Sequence, residues 1–244
     1  MFVFVHGVPE TSALWDGVRS ELHGDSVALA LPGFGCARPE GFGATKDEYV
    51  AWLVAQLEAI GEPVDLVGHD WGAGLTYRVA ATRGDLLRLW VADIANVMHP
   101  AYVWHDFAQI WQTPGEGEEF FARQETTPPE EIAPVFESMG VPHDAALAMA
   151  GWSNATMASC ILDLYRSATP NASASWHHEF GVTSAPGMVL WPSDDVFGDE
   201  KLSREFAQTL GARHETLVGL GHWWPLQSPA EAAAVLRDFA VSVN

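Results

Sequence analysis

Cysteine and basic residues are scarce in this chain. Its 244 residues include two cysteines, Cys36 and Cys160. That excludes a disulfide framework and suits a reducing, cytoplasmic setting, and neither cysteine sits in a metal-ligand spacing. Lys and Arg total 12 against 32 Asp and Glu, a formal net charge of -20. Such a surface repels phosphate backbones and anionic lipid, so neither nucleic acid nor a membrane is an expected partner. The acidic residues are spread along the chain rather than gathered in a tail, and solubility accounts for most of them. Long apolar runs are missing too. The opening Met1-Phe2-Val3-Phe4-Val5-His6-Gly7 is too short for a signal peptide or a membrane span and reads as a first strand.

What is present is alternation. Hydrophobic residues make up 48% of the chain, enough for a sizeable core. Apolar, β-branched runs at 2–5, 27–31, 64–67 and 87–92 alternate with helical patterns at 12–22, 47–60 and 71–81. The alternation returns late, with strands at 187–191 and 214–218 and helices at 200–210 and 229–241. Buried strands separated by amphipathic helices predict an α/β fold, a mostly parallel sheet flanked by helices. Residues 96–184 carry no strand pattern. Short helical segments at 101–112, 130–139, 142–150 and 154–167 predict a helical cap inserted after the fourth strand, between core segments 1–95 and 185–244. Ligands of open α/β sheets bind at the carboxyl ends of the strands. A cap over that edge excludes water.

The most informative stretch is Gly68-His69-Asp70-Trp71-Gly72-Ala73-Gly74, with a strand before it and a helix after it. Small residues around Asp70 permit a sharp, strained strand-to-helix turn that pushes the central side chain out at the top of the sheet. Read alone, Asp70 has an alternative reading as a helix cap. An exposed carboxylate at a helix N-terminus stays ionised and can attack an electrophilic carbon to form an ester.

Two later loops supply partners. His222, in Leu220-Gly221-His222-Trp223-Trp224-Pro225, follows the last strand, and Asp195, in Ser193-Asp194-Asp195-Val196-Phe197, follows the one before. The order nucleophile, acid, histidine suits a His held in its tautomer by a carboxylate. Spacing from the strand favours Asp195 over Asp194, and Asp93, at the end of the fourth strand, is a second candidate acid. The backbone N–H groups of Val8, after the first strand, and Trp71 are placed to form an oxyanion hole.

On these residues the chain resembles the epoxide hydrolase and haloalkane dehalogenase branch of the α/β-hydrolase superfamily. The matching pieces are His6-Gly7-Val8-Pro9, Pro32-Gly33-Phe34-Gly35, Gly68-His69-Asp70-Trp71-Gly72-Ala73, the Asp195 loop and the Gly221-His222 loop. The resemblance covers nearly the whole chain, with a shortened sheet and a short cap. It implies that Asp70 attacks a saturated carbon and that His222, backed by Asp195, activates the water that hydrolyses the ester. It implies no cofactor and no metal, a small apolar substrate, and leaves a homodimer open.

The leaving group divides the branch. Epoxide hydrolases protonate the ring oxygen from cap tyrosines, and this chain has four tyrosines in all. Tyr165, in Leu164-Tyr165-Arg166, resembles the cap Tyr-Arg segment that opens the ring. An ungapped match puts Phe107 at the position of a second donor, which leaves His105, His177 and His178 as candidates. Phe107, Trp111 and Trp223 are expected to line the pocket. A dehalogenase instead clamps a halide, for which Trp71 offers an indole N–H but Val8 offers no side-chain donor. A haloacid enzyme would want an Arg pair after the fourth strand, and residues 94–112 contain no Arg. The expected activity is therefore epoxide hydrolysis, with dehalogenation second and an inactive binding protein of the same fold third.

Overall fold

In a computed structural model describing residues 1–243, six strands form one sheet. They are β1 (Phe2–Val5), β2 (Ser26–Leu29), β3 (Val64–Gly68), β4 (Leu87–Ala92), β5 (Gly187–Pro192) and β6 (Arg213–Leu217). Their order is β2-β1-β3-β4-β5-β6, and every neighbouring pair is parallel. The chain runs outward from β1 to β2, then crosses back to lay β3 on the other side of β1. The order therefore reverses between β1 and β3, and a crevice opens beyond their carboxyl ends. Pairing of Val5 with Gly68 and of Gly68 with Ala92 sets three strand ends level, so the loops starting at His6, His69 and Asp93 leave the sheet together.

Side chains alternate across the sheet and feed two cores. On one face Val3, Val5 and Leu66 pack against α2 (Lys46–Ile60), α3 (Trp71–Thr82) and α9 (Glu200–Leu210). On the other, Phe4, Val67 and Leu190 pack against α1 (Asp16–Glu21) and α11 (Pro229–Ser242). Local chemistry sets the helix ends. Thr45 and Glu48 form a capping box on α2, and Gly61 closes it at φ 81°. The expected helix at 12–22 is divided, because residues Ser12–Trp15 make a 3-10 turn capped by Thr11 before α1 begins.

Between β4 and β5 lie five helices, α4 (Asp106–Gln112), α5 (Glu116–Thr126), α6 (Pro129–Ser138), α7 (His143–Trp152) and α8 (Ala155–Arg166). The segment expected at 101–112 starts late because His105 caps α4, its Nδ1 accepting the Ala108 N–H. Sequence reading missed α5, which follows Pro114-Gly115 and opens on Glu116, Glu118 and Glu119. Those acids suit a helix N-terminus, and Phe121 anchors the helix to the core. A short α10 (Trp224–Gln227) also went unforeseen. Among the described residues no single helix is long and apolar enough to cross a membrane.

Candidate active site

Asp70 occupies the two-residue turn between β3 and α3 at φ 49° and ψ -122°, a conformation costly for a residue with a side chain. Crowding holds it there. A Cβ on Gly68 would lie 2.3 Å from the Gly72 carbonyl oxygen, and one on Gly72 would lie 2.3 Å from that of Val5. Glycine at both positions lets β1, β3 and α3 close around the turn. The Asp70 N–H donates to Asp93 Oδ1 at 2.9 Å, which pins the turn to the end of β4.

The two carboxylate oxygens of Asp70 face different surroundings. Oδ1 accepts the Val8 N–H at 2.7 Å, and the Trp71 N–H also donates to the carboxylate. Oδ2 faces His222 Nε2 at 3.8 Å. The other ring nitrogen, Nδ1, lies 2.9 Å from Asp195 Oδ2, so its proton sits there and Nε2 is left as the acceptor. Asp195 Oδ1 accepts the Phe197 N–H at 2.8 Å. The choice of acid is thereby made in geometry. Asp194 is exposed and takes the Ser193 hydroxyl, and Asp93 is committed to other donors.

Burial governs the charges. The Asp70 side chain is 16% exposed, not the open carboxylate expected at a helix end. Desolvation pushes its pKa up to about 6, with the positive potential of His222 opposing the rise. Burial also works against a charged His222, but the charge and hydrogen bond of Asp195 outweigh it and raise the imidazole above its ordinary value. Asp195 is held below the usual carboxylate range, because His222 overcomes its desolvation.

Beneath this pair lies a second layer. His69 packs its ring 4.8 Å from that of His222, with Asp93 Oδ2 2.5 Å from Nδ1 and Glu10 Oε1 3.0 Å from Nε2. All three side chains are fully buried. Desolvation opposes a charge on His69, but two flanking carboxylates raise its pKa well above normal, so it carries both ring protons. Burial alone would raise Glu10, yet His69 draws it down to about 2. Indole N–H groups complete the layer, Trp223 donating to Glu10 Oε1 and Trp224 to Asp93 Oδ2, each at 2.6 Å. Glu10, His69 and His222 offer ligand atoms within 4.8 Å of one another, but a doubly protonated His69 has no lone pair for a metal.

A cavity of about 340 Å³ opens over Asp70. Val8, Trp71, Tyr165, His105, Phe107, Trp111, His222 and Trp223 all line it. His177 and His178 do not. They sit exposed on a single 3-10 turn, Nδ1 of His177 beside the Ala174 carbonyl and His178 beside Glu179. The stretch after α8 is held against α2 instead, where Lys46 Nζ donates to the Ala172 carbonyl and Ser175, and Trp176 Nε1 donates to Asp47. His105 does face the cavity. Burial pushes its pKa down to about 4, and with Nδ1 accepting the Ala108 N–H its neutral form carries the proton on Nε2.

Residues 2–235 match the model of the α/β hydrolase family. The chain belongs to that family. This α/β hydrolase is 30% identical over 128 residues to a haloalkane dehalogenase of Mesorhizobium japonicum, covering 48% of this chain and 41% of that protein. It is 28% identical over 218 residues to haloalkane dehalogenase 2 of Mycobacterium bovis, covering 87% and 68%. The first two such relatives are matched over less than half their own length, 41% and 44%. In fold it is similar to an epoxide hydrolase from Vigna radiata (TM-score 0.76, 19% identity, 99% of this chain and 90% of that one). It is also similar to the haloalkane dehalogenase DbeA from Bradyrhizobium elkani (TM-score 0.73, 20% identity, 99% and 91%). These distant relatives and structural neighbours are haloalkane dehalogenases and epoxide hydrolases by name.

Two features of the α/β hydrolase site escaped sequence reading. Glu10 was one, although an acid one residue beyond His-Gly-Val-Pro, at the mouth of a buried strand, needs a partner if it is to be buried. The double tryptophan after His222 was the other, since nothing in one sequence says that both indoles are hydrogen-bond donors to carboxylates.

Proposed function

We propose that the protein is an epoxide hydrolase that converts a small apolar epoxide into a vicinal diol, with residues 96–184 as its cap. Oδ2 of Asp70, the oxygen that faces His222, attacks a ring carbon. Oδ1 becomes the ester carbonyl, already held by the Val8 N–H, which with the Trp71 N–H then stabilises the oxyanion. His222 takes a proton from the water that adds to this carbonyl, and Asp195 stabilises the imidazolium.

Tyr165 carries the choice of epoxide. It lines the cavity with Asp70, and its ring packs edge-on against the Trp71 indole at 5.4 Å. Burial and the Asp70 charge raise its pKa well above normal, so it is a neutral donor.

The names of the relatives favour a second reading, a dehalogenase with the same nucleophile. A halide needs N–H donors, however, and Val8 has no side-chain donor to set beside the Trp71 indole. Incubation with styrene oxide and with 1-bromohexane separates the two. Diol should form at least about a hundredfold faster than bromide, a gap of about 2.7 kcal/mol in activation energy. Bromide release with no diol defeats the proposal.

The pH dependence divides between the half-reactions. Ester formation needs ionised Asp70, so its rate should climb about tenfold per unit below about pH 6 and level above it. Ester hydrolysis needs neutral His222, and because that pKa is raised above 6.5, its rate should go on climbing after ester formation has levelled. Single-turnover kinetics from about pH 5 to 9 reads both limbs.

A further inference from the structure

We infer that Asn96 is a positioning residue for the acid: its side-chain amide ties the Asp195 turn to the end of β4, so that the carboxylate meets His222. The inference rests on the ester-hydrolysis half of the reading above, a half that epoxide and halide substrates share.

The turn that carries Asp195 is bonded mostly to itself. The Asp195 N–H donates to the Pro192 carbonyl at 3.2 Å, and the Gly198 N–H to the Asp195 carbonyl at 3.1 Å. The Phe197 N–H donates to Asp195 Oδ1 at 2.8 Å. Among the described residues, two side chains hydrogen-bond to residues 195–198 from elsewhere in the chain. One is His222, at Asp195 Oδ2. The other is Asn96, whose Nδ2 donates to the Phe197 carbonyl at 3.1 Å. A turn tethered only to the imidazole would follow that ring as it gains and loses a proton. Asn96 supplies a tether that takes no part in the proton transfer, and small misplacements of a catalytic group are costly.

Phe197 is where the tether acts. Its N–H orients the acid, and its ring packs edge-on against His222 at 5.1 Å. Fixing its carbonyl therefore fixes a residue that touches both partners. Burial alone would raise the pKa of Asp195, and the His222 charge and the Phe197 N–H hold it down.

The local backbone delivers this amide. Ile94 adopts φ 41° and ψ 34°, a left-handed conformation that β-branched residues rarely take. It leads the chain from β4 into a 3-10 turn, Ala95–Met98, which packs on α9, the helix that follows the Asp195 turn. Asn96 is fully buried there, and its Oδ1 has no partner among the described residues. A buried amide with an unpaired oxygen is costly, and an apolar side chain of the same size avoids that cost. The NH2 group is the end that is used, and its use is to hold Phe197.

The test is single-turnover kinetics with styrene oxide, from about pH 5 to 9, on wild type, Asn96→Leu, Asp195→Asn and the double variant. Leucine is close to the amide in size and cannot donate. Burial lowers the His222 pKa, Asp195 and Asp70 raise it, and His69 lowers it. With Asp195 loosened, ester hydrolysis in Asn96→Leu should slow about tenfold or more, and its rising limb should move to lower pH. Ester formation should stay within about threefold of wild type. In the Asp195→Asn background the same substitution should change hydrolysis less than about twofold, because residues acting through one carboxylate are not additive. Asn96→Ser, one atom shorter, is the second variant should Asn96→Leu not fold, and NMR titration should place its His222 below wild type. Equal losses in both half-reactions, or losses that multiply in the Asp195→Asn background, would mean an amide that supports the fold alone and overturn the inference. So would a folded variant whose hydrolysis rate and pH limb match wild type. If wild type releases bromide from 1-bromohexane and opens no epoxide, the epoxide reading fails, and the same comparison on the ester made from 1-bromohexane still decides Asn96.

Discussion

Replacement of His222 by Gln should leave a protein that forms an ester on Asp70 and cannot release it. Attack by Oδ2 needs no base, whereas hydrolysis needs the imidazole 3.8 Å away to take a proton from water. Glutamine keeps an amide to offer the buried Asp195 and removes the base. One equivalent of styrene oxide should be consumed in a burst, and steady turnover should drop at least about a thousandfold. Intact-mass spectrometry should then show the chain heavier by one epoxide, and Asp70→Asn in the same background should abolish the adduct. A folded His222→Gln protein that takes up no electrophile, epoxide or bromoalkane, would remove covalent catalysis altogether. It would favour a protein that binds and does not turn over.

Replacement of Asp93 by Asn should be the most destabilising single change near the site. Asp93 is fully buried and accepts from three donors, the Asp70 N–H, His69 and the Trp224 indole. An amide offers one acceptor oxygen and turns its NH2 against a donor, and His69 loses one of its two counter-charges. Breaking a buried pair in this way costs about 3–5 kcal/mol. In a chain of this size that lowers Tm by roughly 6–20 °C. Asp194→Asn, at an exposed carboxylate, should stay within about 0.5 kcal/mol of wild type. Equal denaturant midpoints for the two variants would mean that the His69 layer contributes nothing. The layer also sets a pH window. Glu10 falls to about 2 from an ordinary 4.5, so its contribution is complete above 4.5 and is lost as pH drops toward 2. His69 is raised, so its contribution is complete below 6.5 and is lost as pH climbs through the elevated value.

Strong periodicity made the sheet legible. The run at 87–92 and the helix at 200–210 coincide with β4 and α9 residue for residue, because each is bounded by turn chemistry and fills one side of a core. Legibility failed where partners come from far away in the chain. An acidic stretch such as α5 shows little apolar periodicity and is helical because Phe121 and its capped first turn give it somewhere to dock. Asp70, Asp195 and His222 were readable because each follows a strand at the same edge. The environment of Asp70 was not, since the helix-end position suggested an open carboxylate and only the assembled walls reveal its burial. Phe107 and His105 drew attention as the positions near an expected donor.

The helical insert leaves the sheet after β4 and returns at β5, and those two strands are neighbours. An excursion that starts and ends side by side can be exchanged without disturbing the register of any strand. The groups proposed for attack and water activation reside in the part that would stay behind, while Tyr165 would travel with the excursion. Ancestral chains could therefore have traded one departing group for another by grafting a single contiguous stretch, and a laboratory chimera joined at the same two points would retrace that trade.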